Sequence, residues 1–398
     1  MEKREGPLAG IKVVELGQLI AGPYAGRLLA EFGATVVKIE PPGIGDPLRK
    51  WRVMHGDTSL WWYLQARNKR SVTADLKSPE GQEIVRRLVQ DADILIENFR
   101  PGALEKWGLG WEALSAINPK LVMLRISGYG QTGPYSQRPG FGVIGEAMGG
   151  IRYTTGSPDR APSRTGISIG DTLSSLYGVM GALMSVIHVV RNGGQGQVVD
   201  VALTESVLSV MESLIPEYGL AGQIRERSGG ALPGIVPTDA YPCTDGYVLI
   251  AGNGDSIFRR LMAAIGRPDL GEDPRLARND GRVAQVETID AAIGAWTRER
   301  SIAEVIEAMN AASVPVGRIY NAADIVDDPH YRARAMVVDA TLPDGTSMPA
   351  PGIAPKLSAT PGRVRSLGPA LGQHTDEVLA EIGYDGTEIA AMRQKGIV

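Results

Sequence analysis

Cysteine is almost missing from this sequence. Cys243 is the single one among 398 residues, so no disulfide closes within the chain, and a reducing, cytoplasmic setting is expected. It stands between Pro242 and Thr244 at an apparent strand edge, with no neighbouring His to activate it as a nucleophile. Histidine is scarce as well: the four residues lie at 55, 188, 330 and 374, a spacing that offers no metal-ligand set. A field of one charge sign is also lacking. The chain carries 41 basic against 45 acidic residues, a net charge of −4, with no long run of either sign. That excludes a broad nucleic-acid-binding surface but leaves room for a few local cations that hold a phosphate.

Long apolar runs are missing too. The most apolar helix candidate, Leu173–Val190, is interrupted by Ser174, Ser175, Gly178, Gly181 and His188, so it reads as a buried helix and no membrane partner is expected. Nothing resembling a signal peptide follows Met1–Gly6. What remains is an ordinary globular composition, 43% hydrophobic and 22% charged. The 50 glycines and 26 prolines are scattered, which predicts many tight loops.

The first third alternates strands with helices. Ile11–Leu16 and Thr35–Glu40 read as strands around a helix that Pro23 opens and Gly33 ends. Ser78–Gln90 follows as a helix, then Asp93–Glu97 and Leu121–Ile126 as strands. Such alternation means α/β architecture with a mostly parallel sheet. After Asp171, apolar residues at 173, 176, 177, 180, 183, 184, 187 and 190 keep a helical period, and Gln197–Leu203 returns as a strand. From about Gln223 to Pro237 the pattern dissolves into Gly, Pro and Arg. A smaller unit follows: strand Tyr247–Ala251, helices Ile257–Ile265, Val283–Thr297 and Ile302–Ala311, and strand Val316–Tyr320. Beyond it, an Asp344-Gly345 turn joins Val337–Leu342 to Met348, and a Pro/Gly-rich tail promises little regular structure.

Two well-known patterns point the wrong way. Gly128–Gly133 fits G-x-G-x-x-G after a strand, but Pro134 to Gly140 is loop chemistry where a dinucleotide site needs a helix. Gly166–Gly170 fits G-x-S-x-G around Ser168, the mark of a serine hydrolase, yet Arg160–Thr165 before it is no buried strand. Asp171 comes next. As a helix N-cap it would accept the first free N–H groups. The same position favours an ionised carboxylate, the form able to attack an acyl carbon.

A series of short motifs runs through nearly the whole chain: Pro7–Val13, Ala21–Pro23, Gly33–Pro42, Gly45-Asp46, Asn68–Ser71, Lys77–Gly81, Glu97–Gly102, Ser127–Pro134, Gly170-Asp171 and Leu371–Thr375. In this order they resemble the class III (formyl-CoA transferase-like) CoA-transferases. The resemblance implies a Rossmann-like parallel-sheet large domain, a smaller α/β domain and an interlocked homodimer. It places the large domain at 1–222, a small domain with a glycine-loop linker at 223–325, and a segment returning to the large domain at 326–398.

It also implies a mechanism in which Asp171 is the nucleophile and carries CoA as a thioester, with acyl-CoA and a small carboxylic acid as substrates and no permanently bound cofactor or metal. By position, CoA contacts fall on Gln18, Leu19, Ile20 and Ala21, on Ala74 and Lys77, on Asn98 and Phe99, and on Ala103 and Lys106. Gly229 and Gly230 match the family's shielding loop. Formyl-CoA transferase has an arginine where this chain has Pro41, so Arg49, Arg70 or Arg100 is expected to replace it. It also has a Tyr-Glu pair where Phe141-Gly142 stands, which argues against oxalate and formate. A sister branch of 2-methylacyl-CoA racemases needs a histidine near that segment, and no histidine lies between His55 and His188. Arg152, Arg160 and Arg164 precede the nucleophile and suit a second carboxylate. The expected donor is therefore succinyl-CoA or a similar dicarboxylyl-CoA.

Overall fold

Short apolar, β-branched runs build a six-stranded parallel sheet. Its strands are β1 (Lys12–Glu15), β2 (Thr35–Glu40), β3 (Lys69–Thr73), β4 (Ile94–Glu97), β5 (Val122–Ser127) and β6 (Val198–Ala202). In space they run β3-β2-β1-β4-β5-β6, each neighbouring pair parallel. The chain winds outward from β1, crosses back to β4 and winds the other way. The reversal lies between β1 and β4, as in a doubly wound Rossmann-like sheet. This computed structural model describes residues 6–398.

Helices α1 (Ala21–Glu31), α2 (Pro79–Val89), α3 (Gly142–Met148) and α4 (Ile169–Asn192) belong to the same unit. Adjacent strand residues face opposite sides of a sheet, and here both sides are covered. Val13, Val36, Ile94 and Leu124 pack with Leu29 of α1 and with Ala182 and Val186 of α4. Val14, Val37, Leu95 and Met123 pack with Ile84 and Val85 of α2. Each such aliphatic side chain stabilises by about 1.5–3 kcal/mol on full burial.

The C-terminal segment departs from the expected irregular tail. Helices Thr375–Glu381 and Gly386–Gln394 form there, and Val378, Leu379, Ile389 and Met392 join the α2 side of the core. Helices this short form only with tertiary support, which no local pattern reveals. The motif Leu371–Thr375 closes the open edge of β3: Gly372 N donates to Ser71 Oγ (2.9 Å), His374 N to Ser71 O (2.9 Å) and Thr73 N to Thr375 Oγ1 (3.0 Å). Ser71 N in turn donates to His374 Nδ1 at 3.1 Å.

That last bond requires a neutral imidazole, and burial together with Arg70 pushes the His374 pKa down. A depressed folded pKa means that the unfolded chain binds the proton first. Stability is then full above the ordinary value of 6.5 and declines as pH falls below it. The stability advantage of the wild type over His374→Leu in urea is expected to shrink between pH 7.5 and 5 by the worth of about one hydrogen bond, ~1 kcal/mol, the Glu97 titration being common to both. His374→Leu removes that part of the pH dependence; an unchanged pH dependence in that variant would count against the assignment.

Helix α4 is long and apolar enough to cross a membrane by length and composition. It was expected to be buried, and in this chain only one side is. Leu176, Met180, Met184, Ile187 and Val190 form an exposed stripe, from 47% to 74% accessible. Periodicity registers apolar positions but not what covers them.

The chain divides into two units. The larger comprises the chain up to Arg152, Thr165–Leu214 and Pro329–Val398; the smaller comprises Tyr153–Arg164 and Ile215–Asp328. The boundaries thus fall at 214/215 and 328/329 where 222/223 and 325/326 were expected, and Tyr153–Arg164 goes with the small unit. Hydrogen bonds explain the second difference: Gly229 N donates to Gly156 O (3.0 Å), Arg227 Nη1 to Tyr153 O (2.9 Å) and Tyr153 Oη to Glu226 Oε1 (2.6 Å).

The small unit holds an antiparallel sheet of Thr238–Cys243, Gly246–Ala251 and Val316–Arg318. Helices Asp255–Ala264, Val286–Thr297 and Ile302–Ala311 pack on it through Phe258, Leu261, Ile293, Val305 and Met309. The strand Thr238–Cys243 escaped the sequence reading because Asp239 and Pro242 break its apolar run.

Candidate active site

Helix α4 begins at Ile169, with Ser168 as the N-cap residue making no side-chain cap hydrogen bond. Asp171 is therefore the third residue of the helix and not its cap. Its carboxylate stays at the positive end of the helix. It is half-buried and lies against α3: a Cβ placed on Gly142 would stand 2.1 Å from Asp171 Oδ2. The bare backbone at 142 is what leaves the carboxylate its space. Gly170 is buried between Gly142 O and Val207, so the helix start is seated close against its neighbours.

One turn on, Ser175 Oγ lies 2.7 Å from Asp171 O and 2.7 Å from Ala21 O. The hydroxyl proton links the Asp171 turn to Ala21, the first residue of α1, just past the loop that follows β1. Gln18, Leu19 and Ile20 lie in that loop and Ala21 opens α1, at the point where the winding of the sheet reverses. Asn98, just past β4, brackets it: Gln18 N donates to Asn98 Oδ1 (2.8 Å) and Asn98 Nδ2 donates to Gln18 O (2.9 Å). Both polar ends of the Asn98 amide are engaged by Gln18 backbone, so this residue shapes the crevice. Ligands of open α/β sheets bind at such a switch point, beyond the carboxyl ends of the strands.

The carboxyl ends of three strands carry buried glutamates, each with a cation. Glu15 pairs with Lys38 (3.0 Å) and Lys69 (2.8 Å), Glu40 with Arg49 (2.8 Å), and Glu97 with Arg125 (2.7 Å). Burial pushes Lys69 down to about 8 against the pull of Glu15. Burial likewise pushes Glu97 up to about 7 despite Arg125. Glu97 Oε2 accepts from Phe99 N (2.7 Å), and thereby fixes the candidate contact Phe99. The sequence reading missed this layer of ion pairs, although its Lys-Ile-Glu and Glu-Asn-Phe motifs supplied several members.

Ala74 is buried beyond β3, Ala103 half-buried, and Lys77 and Lys106 exposed. Among the arginines expected to replace the cation lost at Pro41, Arg49 is excluded. It grips Glu40 through Nε and Nη2 (2.8 Å each), donates to Pro369 O (3.1 Å) and stacks 3.7 Å above Trp62. Arg70 pairs with Glu381 and Glu377. Arg100 is exposed and donates to Gln137 O. The difference arises because a motif position does not say whether an arginine meets an acid from its own fold.

Arg152 lies in the larger unit and contacts the buried Glu146 at 3.4 Å. Gly229, Gly230 and the exposed Arg164 belong to the smaller unit. Gly229 takes a left-handed φ of 69°, and its N–H is already donated to Gly156 O. The loop onward from Ala231 borders an apolar pocket with Leu232, Ile235, Val283, Val286 and Asp290.

The competing motifs lose their meaning here. Gly128–Gly133 is a loop in which Gly130 and Gly133 have φ of 85° and 84°. No helix starts before Gly142. A Cβ on Gly128 would stand 2.9 Å from Gly140 Cα, so this glycine serves a close backbone approach. Ser168 follows an exposed irregular stretch, not a buried strand, and forms no nucleophile elbow. Burial, with Asp245, raises the Cys243 pKa and disfavours its thiolate. Among the described residues no His/Cys/Asp/Glu group is arranged to hold a metal.

Fold and site together describe a Rossmann-like enzyme that sets an aspartate at a helix start beside the switch point. The sequence profile of CoA-transferase family III matches residues 8–375, and the chain belongs to that family. It is a class III CoA-transferase. It is 49% identical over 395 residues to a succinyl-CoA–D-citramalate CoA-transferase of Chloroflexus aurantiacus, covering 98% of each chain. A succinate–glutarate CoA-transferase of Agrobacterium fabrum is 37% identical, over 96% of this chain and 97% of that one. Among solved structures, a CAIB/BAIF family protein from Brucella suis superposes with a TM-score of 0.84 and 36% identity, over 95% of this chain and 100% of that one.

Proposed function

We propose that this enzyme moves CoA from succinyl-CoA, or a similar dicarboxylyl-CoA, to a second dicarboxylic or hydroxy-dicarboxylic acid, with Asp171 as the covalent carrier. The observation that carries the proposal is the Ser175 hydroxyl between Asp171 O and Ala21 O. It sets the nucleophile's turn against the loop that matches the family's CoA contacts. The relatives' names, which pair succinyl-CoA with citramalate and succinate with glutarate, supply the substrate class.

In the proposed sequence the Asp171 carboxylate attacks the thioester carbonyl. The C–S bond breaks, leaving a mixed anhydride and CoA thiolate. The thiolate attacks the aspartyl carbonyl, forms the aspartyl–CoA thioester and releases the first acid as its carboxylate. The acceptor carboxylate then attacks this thioester and the steps run in reverse, so each covalent step replaces one difficult exchange. Lys77 and Lys106 are exposed cations available to the CoA phosphates, and Arg152 or, alternatively, Arg164 is the candidate for a second carboxylate. No metal or redox group enters the balance.

The exposed apolar stripe of α4 supports a homodimer, since a stripe of five large apolar residues on one helix face marks an interaction surface; that the dimer is interlocked rests on the family resemblance alone. The single cysteine suits a cytoplasmic location. Intact-mass measurement after brief mixing with a panel of acyl-CoAs tests the chemistry: a CoA-sized adduct is expected with succinyl-CoA and not with formyl-CoA. Light scattering on the same sample is expected to give twice the 42.4 kDa of one chain. No adduct with any donor rejects the carrier, and a 42.4 kDa species rejects the dimer.

A further inference from the structure

Leu19 occupies the left-handed region, with φ of 65°. A leucine there is strained by its Cβ, and such strain persists only where the surroundings over-determine it. Four backbone groups at and before it are held. Lys38 Nζ donates to Gly17 O at 2.7 Å, and Asn98 grips Gln18 on both its N–H and its carbonyl. Leu19 N points between the two oxygens of Asp46, 3.1 Å from each. Asp46 is 1% exposed. It is itself fixed by Lys38 Nζ at 2.9 Å, by Leu48 N at 2.9 Å, and through its own N–H to Glu40 at 2.9 Å.

We infer that Asp46 is a positioning residue for the transfer reaction: with Lys38 as charge partner, it holds Leu19 in the left-handed turn that presents the Gln18–Ala21 loop to the acyl-CoA. The inference rests on the proposed function. Asp46 is not among the expected contacts, and it lies in a Gly-Asp motif to which no role had been attached. The geometry explains the need for a carboxylate. One N–H shared by two oxygens needs an acceptor on both sides, and a buried anion needs the neighbouring ammonium. Burial opposes the charge on Asp46, but Lys38 and the Leu48 and Leu19 N–H groups lower its pKa and keep it ionised. Pre-ordering the loop spares the ligand that ordering cost when it binds.

The test compares wild type, Asp46→Ala, Asp46→Asn and Asp46→Ala/Leu19→Gly, with succinyl-CoA as donor. Asp46→Ala is expected to raise KM for succinyl-CoA by ~10-fold or more while kcat changes by less than ~3-fold, because Asp171 is untouched. Asp46→Asn keeps one acceptor for Leu19 N, and is expected to lie between the two; it also serves if the alanine variant does not fold. Glycine adopts positive φ without strain, so Leu19→Gly in the alanine background is expected to recover ~3-fold or more of the lost KM. Amide exchange at Leu19 should speed up in Asp46→Ala and reads the clamp without any turnover. Faster exchange with unchanged KM overturns the inference and leaves the function intact, as does a KM that the glycine fails to recover. Absence of transfer by the wild type with every acyl-CoA overturns the function and the inference together.

Discussion

Asp171→Ala is expected to lose CoA transfer by at least ~10³-fold in kcat, or ~4 kcal/mol of barrier, and to form no CoA adduct by intact mass. The argument is one of bond making. In the proposed sequence the carboxylate accepts the acyl carbon and later carries the thioester, so no other step of that sequence proceeds without it. Stability should change little, because the carboxylate is half-buried at a helix start and not part of the core. Ser168→Ala is the matching control and should keep activity, since Ser168 stands three positions earlier, outside any nucleophile elbow. An adduct that survives in Asp171→Ala and maps to Ser168 would reverse the assignment.

Gly142→Ala is expected to cost ~10²-fold in kcat with little change in thermal midpoint. Its Cβ would come within 2.1 Å of Asp171 Oδ2 and 2.7 Å of Asp171 Cγ. Real carbon atoms do not approach that closely, so the carboxylate, at the end of a short flexible side chain, must swing away. The cost falls on the direction of attack and not on folding, and about 1 Å of misplacement is worth a factor of this size. Steady-state kcat alongside a melting curve decides it. Retention of activity within ~3-fold would mean that Asp171 works from a different rotamer.

Much of this was legible along the chain. Apolar runs located five of the six strands of the sheet to within a few residues, because a buried parallel strand has a local signature, a short β-branched run between turns; Lys69–Thr73 was not legible, since Lys69 and Arg70 break its apolar run. The period after Asp171 located α4, and Gly193 ended it, taking a φ of 59° at the C-cap. Asp171 itself was legible as a helix-start carboxylate, though one cap position was misassigned. Its neighbour Gly142 carried no visible signal, since glycine at a close contact looks like glycine in a turn. The two C-terminal helices were not legible either, because their stability comes from Leu379 and Met392 packing on the α2 side of the core.

By itself, then, the sequence determined the architecture and the family and singled out Asp171 as the candidate nucleophile, each of which rests on patterns contained within a few consecutive residues or on motifs kept in order. The tertiary structure alone decided which polar groups meet. Gln18 finds Asn98 across 80 positions, Ser71 finds His374 across 303, and Arg49 is taken by Glu40 before any ligand can claim it. Asp46 meets Leu19 across 27 positions. Such pairings depend on strand order and on burial, where an unpaired charge or N–H is costly, and neither quantity is written at any one place in the chain.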